Sequence, residues 1–199
     1  MSESLITKKA ISNSIKEIMK NKPLQKISVA EIVKKCGINR QTFYYHFKDK
    51  YDLVDWIYYN EVVSSIIQDK TFYQWSSVVL EVLKTMKREQ YFYTNALSVT
   101  GQNAFQEYFF AVTKDLLSEF IDQLFENNKI EEEDKNFIAE FYAHGLVGVV
   151  VQWARKGMNE EPEKIVQRLS NFINDINYYA AKKYFIEHGI DKDKIINKL

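Results

Sequence analysis

The sequence predicts an all-α protein of about nine helices. Apolar residues recur every three or four positions along most of the chain, and no stretch alternates apolar and polar residues for long enough to make a strand. Breakers are scarce as well, with 6 glycines and 2 prolines in 199 residues. Helices can therefore run long, and their ends should fall where the few glycines, prolines and capping residues stand.

In residues 7–21, Ile11, Ile15, Ile18 and Met19 share one face with lysines on the other, and Pro23 stops the helix. Ser28 and Glu31 form a capping box: the Ser hydroxyl can accept from the backbone three residues on while Glu31 reaches back. The short helix that follows turns Val29, Ile32 and Val33 inward and ends at Gly37, a residue suited to a left-handed cap. Asn39 then caps a third helix, and Asp49 a fourth that passes Leu53, Trp56 and Ile57 towards about residue 69. Residues 72–90 and 104–127 read as amphipathic helices, with a less regular stretch at 91–103 around Gly101. Long helices are expected over 131–156 and 162–188, parted by Gly157 and with Pro162 in a first turn. Residues 191–199 form a short helix or a frayed tail.

Charge divides the chain where its pattern changes. Residues 1–50 carry eleven cations against four carboxylates, net +7, and residues 51–199 carry net −7. A basic end on an acidic body suits a polyanion partner, or else is a clustering of surface lysines. We place the division at 1–52 and 53–199. The longest apolar run, GLVGVVV from Gly145, is short of the roughly 20 residues of a membrane span, so no membrane partner is expected. A single cysteine, Cys36, leaves no internal disulfide and fits a reducing, cytoplasmic setting. Beside the turn glycine it is expected to be buried.

Three short helices, with a tight glycine turn between the second and third, describe a helix-turn-helix. In NRQTFYYHFK, Phe43 and Phe47 share the face that anchors the third helix. Gln41 and Tyr45 fall nearly opposite, Thr42 lies beside them, Arg40 leads from the first turn, and Tyr44 and His46 flank. Such a face suits a major groove: Arg and Gln reach base edges, while hydroxyls and lysines hold phosphates. The expected interface with double-stranded DNA is Ser28, Asn39, Arg40, Gln41, Thr42, Tyr44, Tyr45, His46, Lys48 and Lys50. In it, Ser28 marks a helix N-terminus whose amides can face a phosphate.

Residues 6–60, above all SVAEIVKKCGINRQTFYYHFKDKYDLV, resemble the DNA-binding domain of the TetR family of bacterial transcription regulators. Gly37, Thr42, Phe43, Tyr44, Phe47, Lys50 and Leu53 stand in that family's order. The resemblance implies that Thr42, Tyr44 and Lys50 hold phosphates and that residues 40, 41 and 45 face bases. Gln41 stands where the family often has Gly, Tyr51 where it often has Glu, and His46 where Tyr is common. The first departure makes base reading by residue 41 more natural here.

The resemblance also implies a homodimer joined by the last two long helices. Independently, Gly145 and Gly148 in HGLVGVVVQWA admit a close neighbour, and Val149 and Trp153 add to an apolar stripe. The last long helix offers Leu169, Phe172, Ile173 and Ile176, and the same pattern also suits an ordinary internal pair. By family analogy, Phe72, Tyr73, Trp75, Phe92, Tyr108, Phe109, Phe137 and Tyr142 would line an effector pocket, although aromatic residues at this spacing are more often plain core. QTFYYHF, Leu53 with Trp56-Ile57, and FYQW at 72–75 are similar to activators of dihydroxyacetone kinase operons. In that subgroup a protein coactivator, rather than a small-molecule effector alone, delivers the signal.

No catalytic residue, metal ligand set or cofactor is expected. His46, His144 and His188 are scattered, there is no CxxC pair, and neither a phosphate loop nor a Gly-x-Ser-x-Gly motif occurs. A helical RNA-binding or protein-interaction module is the rival reading. RNA's A-form major groove is too narrow for a reading helix, and a purely protein-binding face has no need of lysines around it.

Overall fold

The structure, a computed structural model, describes residues 3–64, 74–101, 104–124 and 131–173, and all the regular structure among them is helical. Its first helix, α1 (Glu3–Met19), buries Ile11, Ile15 and Met19. A 3-10 turn (Leu24–Lys26) follows Pro23. Next come α2 (Val29–Cys36), α3 (Arg40–His46) and α4 (Lys50–Tyr58). Ile11, Ile15, Leu24, Ile32, Phe43 and Leu53 are fully buried, so one small core joins α1 to the three helices packed on it. Cys36 is half-buried, because α2 ends there and its side chain lies at the edge of that core.

Beyond Tyr58 the expected α-helix changes character, and Tyr59–Val63 form a π-helical turn. Such turns hold an extra residue and recur at functional joints. The continuation towards residue 69 lies outside the described residues.

The body contains α5 (Trp75–Arg88), α6 (Gln90–Ser98), α7 (Phe105–Leu124) and α8 (Glu132–Arg155). The less regular stretch expected at 91–103 is thus largely helix, separated from α5 by the non-helical Glu89 (ψ 39°). The most extensive helix pairing is α7 on α8, joined at its surface by Lys114–Glu140 (3.1 Å) and Lys135–Asp122 (2.8 Å). Three acids, Glu132, Glu133 and Asp134, oppose the positive end of the α8 dipole. Its far end closes at Gly157 (φ +73°), where Gln90 donates to the Gly157 carbonyl at 2.7 Å. By length and composition α8 is apolar enough for a membrane span, unlike its longest apolar run, and 33% of its most apolar window is buried inside the chain.

Met1–Asn159 form one compact unit, and a second begins at Glu160. The division expected at 52/53 falls inside the first. In the second, residues 162–173 are helical, Arg168 pairs with Glu160 at 2.6 Å, and Phe172 is 62% exposed.

Candidate nucleic-acid interface

Local rules build the reading head. Ser28 and Glu31 complete the capping box, with Glu31 Oε2 accepting from the Ser28 amide at 2.9 Å. Lys22 closes on the same carboxylate at 2.6 Å. That lysine first, and the Ser28 hydrogen bonds second, hold Glu31 down to about 2. A carboxylate thus already occupies the α2 N-terminus, beside a lysine. Gly37 adopts φ +74°, and Asn39 Oδ1 then accepts from the Thr42 amide at 2.8 Å and the Thr42 hydroxyl at 3.0 Å. The turn is therefore fixed at both ends before any partner arrives.

On α3, Phe43 and Phe47 are 0% and 2% exposed, whereas Tyr45 is 81% and Tyr44 49% exposed. Phe47 packs edge-on against Trp56 (5.7 Å), beneath the Lys8 ammonium at 5.3 Å from its ring. Arg40 and Gln41 are exposed, and the Arg40 guanidinium lies beside Tyr44, 6.0 Å from its ring. Tyr45 rests edge-on against His46, at 4.9 Å between ring centres. Thr42 and His46 are half-buried, and Asn39, Ser28 and Lys48 are exposed. One surface therefore carries Arg40, Gln41, Tyr44 and Tyr45, all hydrogen-bonding groups, on an apolar foundation.

Lys50 differs from expectation in its surroundings. Its ammonium donates to the carbonyls of Leu24 (2.8 Å), Gln25 (2.9 Å) and Ile27 (2.8 Å). An ammonium has three donors, so in this state all are engaged within the chain. Burial pulls its pKa below the ordinary lysine value, and Asp49 opposes that shift.

The aromatic residues assigned to an effector pocket scatter. Phe92 and Phe109 are buried; Phe109 joins Phe105 and Tyr93 in a cluster around the buried Tyr58 ring. Trp75, Tyr108 and Tyr142 are half-buried, and Phe72 and Tyr73 lie outside the described residues. Phe137 is 71% exposed on the outer face of α8, so it lines no interior. A cleft of about 310 Å³ does lie between α4 and the start of α7, lined by Lys48, Asp49, Tyr51, Asp52, Asp55, Ala104, Glu107 and Tyr108. Within it, burial first and the neighbouring Asp52 and Asp49 second push Asp55 up to about 7, and its Oδ1 is buried without a partner.

On α8 the expected interface residues divide. Gly145, Gly148 and Val149 face outwards beside Phe137 and Phe141 (66% exposed). Nothing lies within 4 Å of a Cβ built on either glycine. Trp153 is 4% exposed and faces inwards, because the helix turns its stripe by about 100° per residue and Trp153 falls with Val150 and Ala154 on the buried side. Leu169 and Ile173 are half-buried, Phe172 is exposed, and Ile176 lies outside the described residues.

Residues 13–57 match the family model for bacterial regulatory proteins of the tetR family, and residues 73–175, more than half of the chain, match that for a transcriptional regulator C-terminal region. The chain belongs to the TetR family. It is a transcriptional regulator of that type, and the head just described is a TetR DNA-binding domain. The HTH-type dhaKLM operon transcriptional activator DhaS of Lactococcus lactis subsp. lactis is 27% identical over 178 residues, spanning 87% of this chain and 91% of the relative. A solved structure of a dihydroxyacetone kinase operon activator DhaS shares the fold at TM-score 0.65 and 24% identity, over 86% of this chain and 96% of that one. The fatty acid degradation regulator FadR from Bacillus halodurans shares it at TM-score 0.59 and 15% identity, over 81% and 91%.

Sequence reasoning missed Asn95 and Lys16, which tie the head to the body. Asn95 sits in YTNALS, within the stretch expected to be less regular, and its partners are over seventy residues away. Lys16 meets Glu61 at 2.7 Å and Glu89 at 3.5 Å, again with no spacing in the sequence to announce it.

Proposed function

We propose that the chain works in the cytoplasm as a homodimer that reads a two-fold operator with α3, and that binding at its body controls DNA affinity. The observation that carries this reading is the α3 surface, where Arg40, Gln41, Tyr44 and Tyr45 are presented to solvent while Phe43 and Phe47 fix the helix from behind. Arg40, Gln41 and Tyr45 are assigned to base edges; Thr42, Tyr44 and Lys48 to phosphates, with Ser28, Asn39 and His46 at the margin of the contact. A single three-helix head covers few base pairs, so two heads on one axis supply the specificity that one lacks.

The outer face of α8 supports the dimer. Phe137, Phe141 and Val149 are exposed, and the open glycines 145 and 148 leave room for a second helix. A further copy of the same face suits that surface. The likeness to DhaS favours activation over repression, with a dihydroxyacetone kinase operon as target and a small-molecule effector or a protein coactivator at the body.

Selection of bound sequences from a random duplex pool tests the reading. A near-palindrome is expected, with half-sites about one helical turn or a multiple of it apart. Salt-sensitive binding without enrichment would favour a non-specific nucleic-acid module instead.

A further inference from the structure

We propose that Asn95 and Lys50 form a relay that positions the reading helix relative to the body, with residues 19–27 as the link between them. The proposal rests on the reading of α3 as the DNA-contacting helix and adds what sets its angle. Asn95 lies on α6, whose neighbours Phe92, Tyr93, Ala96 and Leu97 are buried, so its backbone moves only with the body. Its carboxamide is spent wholly on the head. Oδ1 accepts from the Leu24 amide at 2.8 Å, and Nδ2 donates to the carbonyls of Lys22 (2.8 Å) and Met19 (3.2 Å). Met19 ends α1, and a helix leaves its last carbonyls without partners inside the helix. A side chain from the body supplies one.

Lys50 takes up the same segment from the other side. Its ammonium holds the carbonyls of Leu24, Gln25 and Ile27, so Leu24 is grasped through its N–H by the body and through its C=O by Lys50. Lys50 is the first residue of α4 and follows closely on the end of α3. A displacement of α6 therefore reaches the base of α3 through two sets of short hydrogen bonds and one buried residue. The geometry also explains why an asparagine is needed at 95: only a carboxamide offers an acceptor to an amide and two donors to carbonyls at once. Aspartate there would set a carboxylate against two carbonyl oxygens.

The test uses the full chain and its selected operator. One added base pair between half-sites turns one head by about 34° and shifts it about 3.4 Å. The wild type should lose at least about tenfold in affinity on such an operator, and Asn95→Ala less than about threefold, because its heads can follow the displaced site. Lys50→Met should show the same tolerance, and the double variant no more than either, since the two act in series. Thermal melting and circular dichroism accompany each variant, but a lower Tm alone leaves the spacing penalty intact. An unchanged penalty in a folded Asn95→Ala, or additive losses in the double variant, would overturn the relay. So would a Lys50→Met salt dependence flattened by about one counterion per protomer, which would return Lys50 to a phosphate.

A second measurement needs no DNA. In a Cys36→Ser background, spin labels at Gln41→Cys and Glu119→Cys report the distance from α3 to α7, both positions being exposed. Its distribution should broaden on Asn95→Ala or, should that variant not fold, on Lys50→Met. An unchanged distribution would sink the relay. Failure to select any operator would sink the function proposed above while leaving this distance to judge the relay.

Discussion

The helices α3 and α8 each show two aromatic rings to water, and the rings differ in kind. On α3 they are Tyr44 and Tyr45, 49% and 81% exposed; on α8 they are Phe137 and Phe141, 71% and 66% exposed. A phenol combines an apolar body with a donor and acceptor, and suits a partner lined with phosphates and base edges. A bare phenyl offers nothing to such a partner and gains only by burial against another apolar surface. Each helix also treats its inward face differently. The seven residues of α3 rest on Phe43, whereas the 24 residues of α8 bury Ala139, Ala143 and Val147 and, further along, Val150, Trp153 and Ala154. The short helix is held from behind by its buried ring, and the long one has apolar area on two sides. Exposure alone is therefore a poor guide to function; the chemistry of the exposed group separates the reading surface proposed for α3 from the assembly surface proposed for α8.

The comparison breaks first at its foundation. Phe43→Ala should cost about 3–5 kcal/mol of stability, read by denaturant unfolding, whereas Phe141→Ala should leave the isolated protomer nearly as stable. Equal losses would mean that Phe141 is buried in the protomer and that the two surfaces are not distinct. Replacing both phenyls of α8, as Phe137→Glu with Phe141→Glu, should shift sedimentation from dimer towards monomer and weaken operator binding without altering which bases are preferred. A persistent dimer would move the interface elsewhere. On α3, Gln41→Ala should relax preference at one position per half-site by about 1–3 kcal/mol and leave sedimentation unchanged. Gly37→Ala should cost about 1–2 kcal/mol of stability, because a methyl group meets no neighbour but the left-handed backbone resists a side chain.

The smallest effect concerns the cleft beneath the head. Burial raises Asp55 from an ordinary 3.8 to about 7, so the folded chain keeps a proton that the unfolded chain has lost. Stability linked to this group is complete below about pH 4 and declines as pH rises to about 7. Asp55→Asn removes the decline, so its Tm should gain on the wild type between about pH 5 and pH 8. A difference independent of pH would show that Asp55 is ionised throughout.

Much of the head was legible because its rules are local. Ser28 with Glu31, Gly37, Asn39 and Asp49 each act within four residues, and the structure closes every one of these caps. The opposition of Phe43 and Phe47 to Gln41 and Tyr45 follows from helical pitch alone. The outward aromatic side of α8 was less legible. Phe137 was expected inside and lies outside, and Trp153 the reverse, because an apolar helix can satisfy either face and only its neighbour decides which.

What the sequence determined by itself was the four helices of the head, the caps of α2, α3 and α4, and the composition of the α3 surface, since periodicity and capping need no distant partner. The tertiary structure alone decided where Lys50 spends its ammonium, which carbonyls Asn95 grasps and which side of α8 is left bare. Those outcomes depend on groups brought together across 23 to 76 residues of chain. Hydrogen-bonding groups at such separations carry no periodic mark, and only the packed core brings them within reach.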